Sequence, residues 1–162
     1  MLIDEIGLMM EVFLVSLFAG LVATTAMTLA ELPYWRLWKL AGVFEWHENQ
    51  VLISKFFRLD VKRLNFPGIF LLHFINGGLG GVGLLLAIKF IPQLITVPML
   101  LLGVFYGFLL WILTLAPIHK PITGLHPWNH PLGKGPALAS LGGHALYGLV
   151  LGTIFLVTGV KI

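Results

Sequence analysis

His73-Phe74-Ile75-Asn76-Gly77-Gly78-Leu79-Gly80-Gly81 and His144-Ala145-Leu146-Tyr147-Gly148-Leu149-Val150-Leu151-Gly152 carry one pattern, H-x-x-x-G-x-x-x-G. Four-residue spacing puts the histidine and both glycines on one face of a helix. Each copy lies in an apolar run long enough to cross a bilayer, which takes about 20 residues. Two more runs qualify, so the spans are read at 12–30, 67–91, 98–116 and 136–160. The first and third correspond through Gly20 and Thr24 against Gly103 and Gly107. Each half holds two helices and a loop, which predicts an all-α membrane protein. Its four transmembrane helices form a 2+2 parallel repeat about an axis along the membrane normal, in a single integral membrane domain over 1–162. Glycines at this spacing let backbones approach where lipid supplies no hydrophobic drive for association, so Gly77, Gly81, Gly148 and Gly152 are read as helix-packing positions.

Composition excludes the alternatives. With 58% hydrophobic and 10% charged residues among 162 and a mean hydropathy of +0.96, a soluble domain is untenable. The net charge of +3 comes from basic residues spread through apolar sequence, which form no nucleic-acid surface. Without cysteine, the chain can hold no disulfide, thiolate metal site, iron–sulfur cluster or c-type haem. Asp4, Glu5 and Glu11 stand where a signal peptide would be basic, so the first span is expected to stay in the mature protein. Pro67, Pro98 and Pro136 mark first helical turns, where a missing N–H costs little.

Arg36, Lys39, Lys55, Arg58, Lys62 and Arg63 fall in 31–66, and Lys120 and Lys134 in 117–135. Lys89 and Lys161 are left for the other side, which predicts a multi-pass cell-membrane protein with both loops cytoplasmic and both termini outside. The first loop mixes its charges with Tyr34, Trp35, Trp38, Phe44, Trp46, Phe56 and Phe57, the composition of a headgroup-layer segment. An interfacial helix is expected over 44–59, with Trp46, Gln50, Ile53 and Phe57 on one face and Glu48, Lys55 and Arg58 displaced from it.

Tyr106-Gly107-Phe108-Leu109-Leu110-Trp111 and the later Gly143-His144-Ala145-Leu146-Tyr147-Gly148-Leu149-Val150-Leu151-Gly152 resemble the G-H-x-x-Y-G-x-x-x-G helix region of small, uncharacterised four-span membrane proteins of bacteria and archaea. Gly20-Leu21-Val22-Ala23-Thr24-Thr25-Ala26-Met27-Thr28 is similar to their first span. The resemblance covers most of the membrane part and implies a fold and no activity. Trp46-His47-Glu48-Asn49-Gln50 lies outside that pattern.

Ionisable groups within spans are functional candidates, and here they are His73 and His144. Their rings can hydrogen-bond two helices together, ligate one metal ion, or hold a b-type haem between the glycine faces. Two histidines leave a metal shell incomplete. His119, His126 and His130 in the proline-rich second loop are the candidates to complete it, although Pro121 and Pro127 prevent a helix that would align His126 with His130. A metal would need that loop to fold back; otherwise it is an interfacial loop anchored by Trp128. Glu31 can pair with a loop arginine or with one of the histidines. His47 and Glu48 diverge by about 100° on a helix and form no dyad, and a lone Ser140 without a companion base does not point to hydrolysis. No HExxH, P-loop, nucleophile elbow or dinucleotide fingerprint occurs.

Abundant packing devices against scarce chemistry lead to a non-catalytic protein that packs against itself or other subunits. It is expected to be an accessory or structural subunit of a larger membrane complex, of the respiratory or metal-dependent oxidation type, with no resident cofactor. The second reading is a haem- or metal-binding membrane protein using His73 and His144. The third, a small transporter, is disfavoured because no acidic residue lies mid-span.

Overall fold

A computed structural model describes residues 2–159. Its elements are α1 (Leu2–Trp38), a 3-10 turn (Leu40–Gly42), α2 (Phe44–Phe57), α3 (Phe66–Phe90), a second 3-10 turn (Pro92–Thr96), α4 (Met99–Thr114), a π turn (Leu115–His119), α5 (Lys120–Thr123) and α6 (Gly135–Thr158). No strand occurs among the described residues. Four helical stretches are long and apolar enough to cross a membrane: Ile6–Trp38, Phe66–Phe90, Met99–Thr123 and Gly135–Thr158.

Two boundaries differ from the hydropathy reading. The helix begun in the first span does not stop at residue 30; it continues through Glu31 and Pro33 to Trp38. At about 1.5 Å per residue, its 37 residues exceed a hydrocarbon layer of about 30 Å. Lys39 ends it with φ of 58°, and the chain turns tightly because Gly42 packs under the Trp38 ring, which a Cβ would strike. The third span does not stop at 116 either. The π turn carries α4 into α5, and Gly124, with φ of 79°, ends the run. The fourth span's predicted end, Val160, lies outside the described residues.

The segment expected to form a helix over 44–59 does so over Phe44–Phe57, but its faces differ from the predicted ones. Trp46, Gln50 and Ile53 are buried, whereas Phe57 is exposed. Glu48, expected on the displaced face, is buried. The reason is that α2 packs against α3, α5 and α6, and its polar side chains find partners there. Asn49 Nδ2 donates to the Ile69 carbonyl at 3.2 Å. Gln50 Nε2 donates to the Val61 and Arg63 carbonyls, and its Oε1 accepts from Asn65 N–H. One glutamine thus ties down the turn that leads into α3, whose first turn is capped by the Asn65 side chain on Gly68 N–H.

The helices pair α1 with α3, α4 with α6, and α1 with α6. In the first pair Gly20 lies on the Gly77 carbonyl and Gly81 on the Ser16 carbonyl, so a Cβ at either position would collide with backbone. In the second pair Gly103 meets the Gly148 carbonyl, and Gly152 meets that of Met99. Residue numbers rise along one helix as they fall along the other, so both pairs are antiparallel. Thr24 folds its hydroxyl back onto the Gly20 carbonyl at 2.7 Å, satisfying it within the helix. By contrast, α3 stands off from α4 and α6. Tyrosines bridge the gap: Tyr106 donates to the Gly80 carbonyl at 2.8 Å and Tyr147 to that of Gly77 at 2.6 Å. Farther along, Leu84, Leu85 and Ile88 meet Leu102, Leu151 and Phe155 in the main apolar core.

Candidate functional site

The stand-off leaves a cavity of about 130 Å³, lined by Thr24, Met27, Glu45, Glu48, Asn49, His73, Asn76, Gly77, Gly80, Leu110, His144 and Tyr147. It lies toward the end of the bundle that α2 closes. Sequence spacing brings His73 and His144 to equivalent places on α3 and α6, and the structure places both on this cavity, each 6% exposed. Spacing within one helix could not indicate that α2 turns back under the bundle and adds carboxylates to it.

Glu45, which no sequence pattern singled out, joins α2 to α6. Its Oε1 accepts a short hydrogen bond from the Ser140 hydroxyl and lies 3.4 Å from His144 Nδ1. Burial alone would raise its carboxyl, but His144 and the Ser140 bond hold it below the ordinary range. Nδ1 of His144 is also 3.0 Å from the Ser140 carbonyl. A proton on Nδ1 makes that bond and leaves Nε2 as the lone-pair nitrogen, the arrangement that orients metal-ligating histidines. Ser140, expected to stand without a companion base, therefore has the Glu45 carboxylate of α2 beside it.

Glu31 on α1 is 2% exposed, and its Oε2 lies 3.8 Å from Nε2 of His73. That is too long for a hydrogen bond. Both Glu31 oxygens, Oε2 of Glu45 and Nε2 of His73 are buried without a hydrogen-bond partner. Two carboxylates and one imidazole with unused lone pairs are thus enclosed at one end of a bundle where unpaired polar groups are costly. Among the described residues, no three of these groups stand close enough to enclose a metal ion without side-chain movement. Glu31 pairs with a histidine and not with an arginine. It lies in the last two turns of a helix long and apolar enough to cross a membrane.

The second loop does fold back. His119 is fully buried at the end of the π turn; its Nδ1 is 2.8 Å from Glu48 Oε1, and its ring is 4.2 Å from that of Phe44. His130 is buried against the other side of Phe44, with ring centroids 5.3 Å apart. His126 stays apart from them and accepts from Trp128 N–H. These loop histidines therefore do not reach His73 and His144; His119 instead meets the cavity through Glu48. His47 does not pair with its neighbour Glu48, and its ring lies 6.0 Å from His119. Burial first, then His119 and His130, push the His47 imidazole down to about 4.

Burial, then the charge of Glu45, push the Glu48 carboxyl up to about 9. With its proton retained, Glu48 donates to His119 Nδ1. Unfolding returns Glu48 to an ordinary value near 4.5, so between these values the unfolded chain binds fewer protons than the folded one. Stability should therefore fall as pH rises through this window, by at most about 1.4 kcal/mol per pH unit. Glu48→Gln keeps a donor toward Nδ1 without the ionisation. Its unfolding midpoint is expected to gain on the parent's steadily from about pH 5 to about pH 9. A constant offset across that range would show that Glu48 is not the titrating group.

No protein-family model, curated protein or solved structure matches the chain.

Proposed function

We propose that this multi-pass membrane protein binds a divalent transition-metal ion at the end of its helix bundle, between Glu31, Glu45, His73 and His144. One observation carries the reading: the buried, unpartnered Glu45 Oε2 of α2 and His73 Nε2 of α3 belong to residues that line one cavity with His144, and the unpartnered Glu31 carboxylate of α1 lies beside His73. The 3.8 Å between Glu31 Oε2 and His73 Nε2 is near the spacing of two ligands that each bind one ion at about 2.0–2.2 Å. Two carboxylates neutralise a dication, and mixed imidazole and carboxylate donors suit zinc, iron, cobalt or manganese. The cavity volume fits an ion with water ligands, so the reading takes the metal arm of the sequence expectation and not the haem arm. Titration of the detergent-purified, metal-stripped protein with Co²⁺ tests it. One equivalent should bind with visible absorption bands; absence of stoichiometric binding overturns the reading and leaves two buried carboxyls sharing protons.

The fold and placement that accompany this reading are proposals of the same kind. The two antiparallel pairs form a 2+2 parallel repeat, supported by Gly20 and Gly81 colliding with the same kinds of backbone atoms as Gly103 and Gly152. The loop ends face the cytoplasm in a cell membrane, as the basic-residue count requires, and the end of α2 lies in the headgroup layer, where Phe56 and Phe57 are exposed beside Lys55 and Arg58.

A second reading, compatible with the first, is the accessory subunit of a larger complex. It is favoured by the start of α1, where Ile6, Leu8, Met9, Met10, Phe13 and Leu14 are all more than 40% exposed. Native electrophoresis of gently solubilised membranes should show the chain in a band well above its own mass. Migration as a free monomer counts against this reading.

A further inference from the structure

We infer that the cavity opens sideways into the bilayer between α3 and α4, and that it takes from the membrane a neutral, hydroxyl-bearing amphiphile: a phenol or alcohol on an apolar tail. The mouth is marked by Asn76. This side chain lies near the middle of α3, is exposed, makes no hydrogen bond among the described residues and lines the cavity. A polar side chain at that depth is expensive to leave in hydrocarbon, and a ligand head at the mouth would satisfy it.

The walls beside it are apolar or bare: Leu110 on α4, and Gly77 and Gly80 on α3, which offer backbone without side chains. A Cβ at Gly80 would meet no neighbouring backbone, unlike one at Gly81; the group nearest it is the Tyr147 hydroxyl at 2.7 Å. The inner end is polar and includes the buried, unpartnered Nε2 of His73.

Charge selects the head group. Glu45 lines the cavity as a carboxylate and no lysine or arginine does, so a phosphate or carboxylate head is repelled. Phospholipids and fatty acids are thereby excluded. A neutral hydroxyl can accept from the Asn76 amide and donate to His73. The inference concerns the metal-free cavity and its mouth, and the experiments on it use metal-stripped protein.

The chain has no cysteine, so Asn76→Cys and Leu79→Cys each supply a single attachment point for a fluorophore; Leu79 is 58% exposed and lines no part of the cavity. In vesicles of brominated phosphatidylcholine, both labels should be quenched. Added 4-nonylphenol should relieve quenching at residue 76 alone, and nonanoate at neither. The unlabelled parent gives an independent reading, because a ligand that binds the folded state raises the unfolding temperature with its concentration. That rise is expected with nonylphenol and not with nonanoate. An unquenched label at residue 76, equal relief at both positions, or equal effects of the two additives would overturn the inference.

Discussion

Gly148→Ala should lower the unfolding temperature sharply, whereas Gly142→Ala, six residues earlier on the same helix, should leave it unchanged or raise it. The two substitutions add the same methyl group to α6. At Gly142 nothing lies within 4 Å of the new atom, and alanine is the better helix former by about 1 kcal/mol. At Gly148 the methyl would overlap the Gly103 carbonyl oxygen and come within 2.8 Å of its carbon and 3.1 Å of Gly107 N. These are backbone atoms of a packed helix and cannot rotate away as a flexible side chain would. The helices must part, and overpacking of this kind costs roughly 1–3 kcal/mol. For a chain of this size that is on the order of 5 °C in unfolding temperature. In lipid the loss is not offset by hydrophobic re-burial, because close packing itself supplies the association. Thermal unfolding followed by circular dichroism in detergent measures both variants. Indistinguishable midpoints would mean that the α4–α6 contact is not what holds the bundle.

That contrast also shows what could be read from sequence. The spacing of Gly77 and Gly81, and of Gly148 and Gly152, indicated one face on each helix, and all four meet neighbouring helices closely. Spacing did not separate them from Gly80 and Gly83, which face the hydroxyls of Tyr147 and Tyr106 across the gap. Only the angle between helices decides that. His73 and His144 were visible because an imidazole in an apolar run stands out, but their acidic partners were not.

Glu31 fell outside a span drawn by hydropathy, because the window ends where charges and aromatics begin, although the backbone carries the helix two turns further to Trp38. Glu45 and Glu48 lay in a segment read as membrane surface. A surface helix and one tucked beneath a bundle both alternate polar and apolar residues. One signal did separate them: His47, Glu48, Asn49 and Gln50 are consecutive polar residues between Trp46 and Val51. A helix wetted on one side only has little room for four in a row, whereas one with polar groups pairing to backbone and to other helices does.

Glu45 provides the most discriminating test of the metal site, because its two oxygens have different work. Oε1 takes the Ser140 hydroxyl and lies beside His144, while Oε2 is buried and unpartnered. Glu45→Ala removes both and strands the Ser140 hydroxyl and the His144 ring; breaking a buried pair in this way costs about 3–5 kcal/mol. Loss of metal binding in that variant would say only that the site had collapsed. Glu45→Gln keeps the volume and an amide oxygen for Ser140, so its fold should survive, but it removes the negative charge on which a dication depends. Its affinity for Co²⁺ is expected to fall by about 100-fold or more, the scale on which supporting groups of metal sites act, and simultaneous His73→Ala and His144→Ala to abolish binding. If the Glu45→Gln variant binds Co²⁺ as the parent does, Glu45 is reduced to a structural clasp between α2 and α6. If it loses the metal while keeping its unfolding temperature, the charge of Oε2 belongs to the ion.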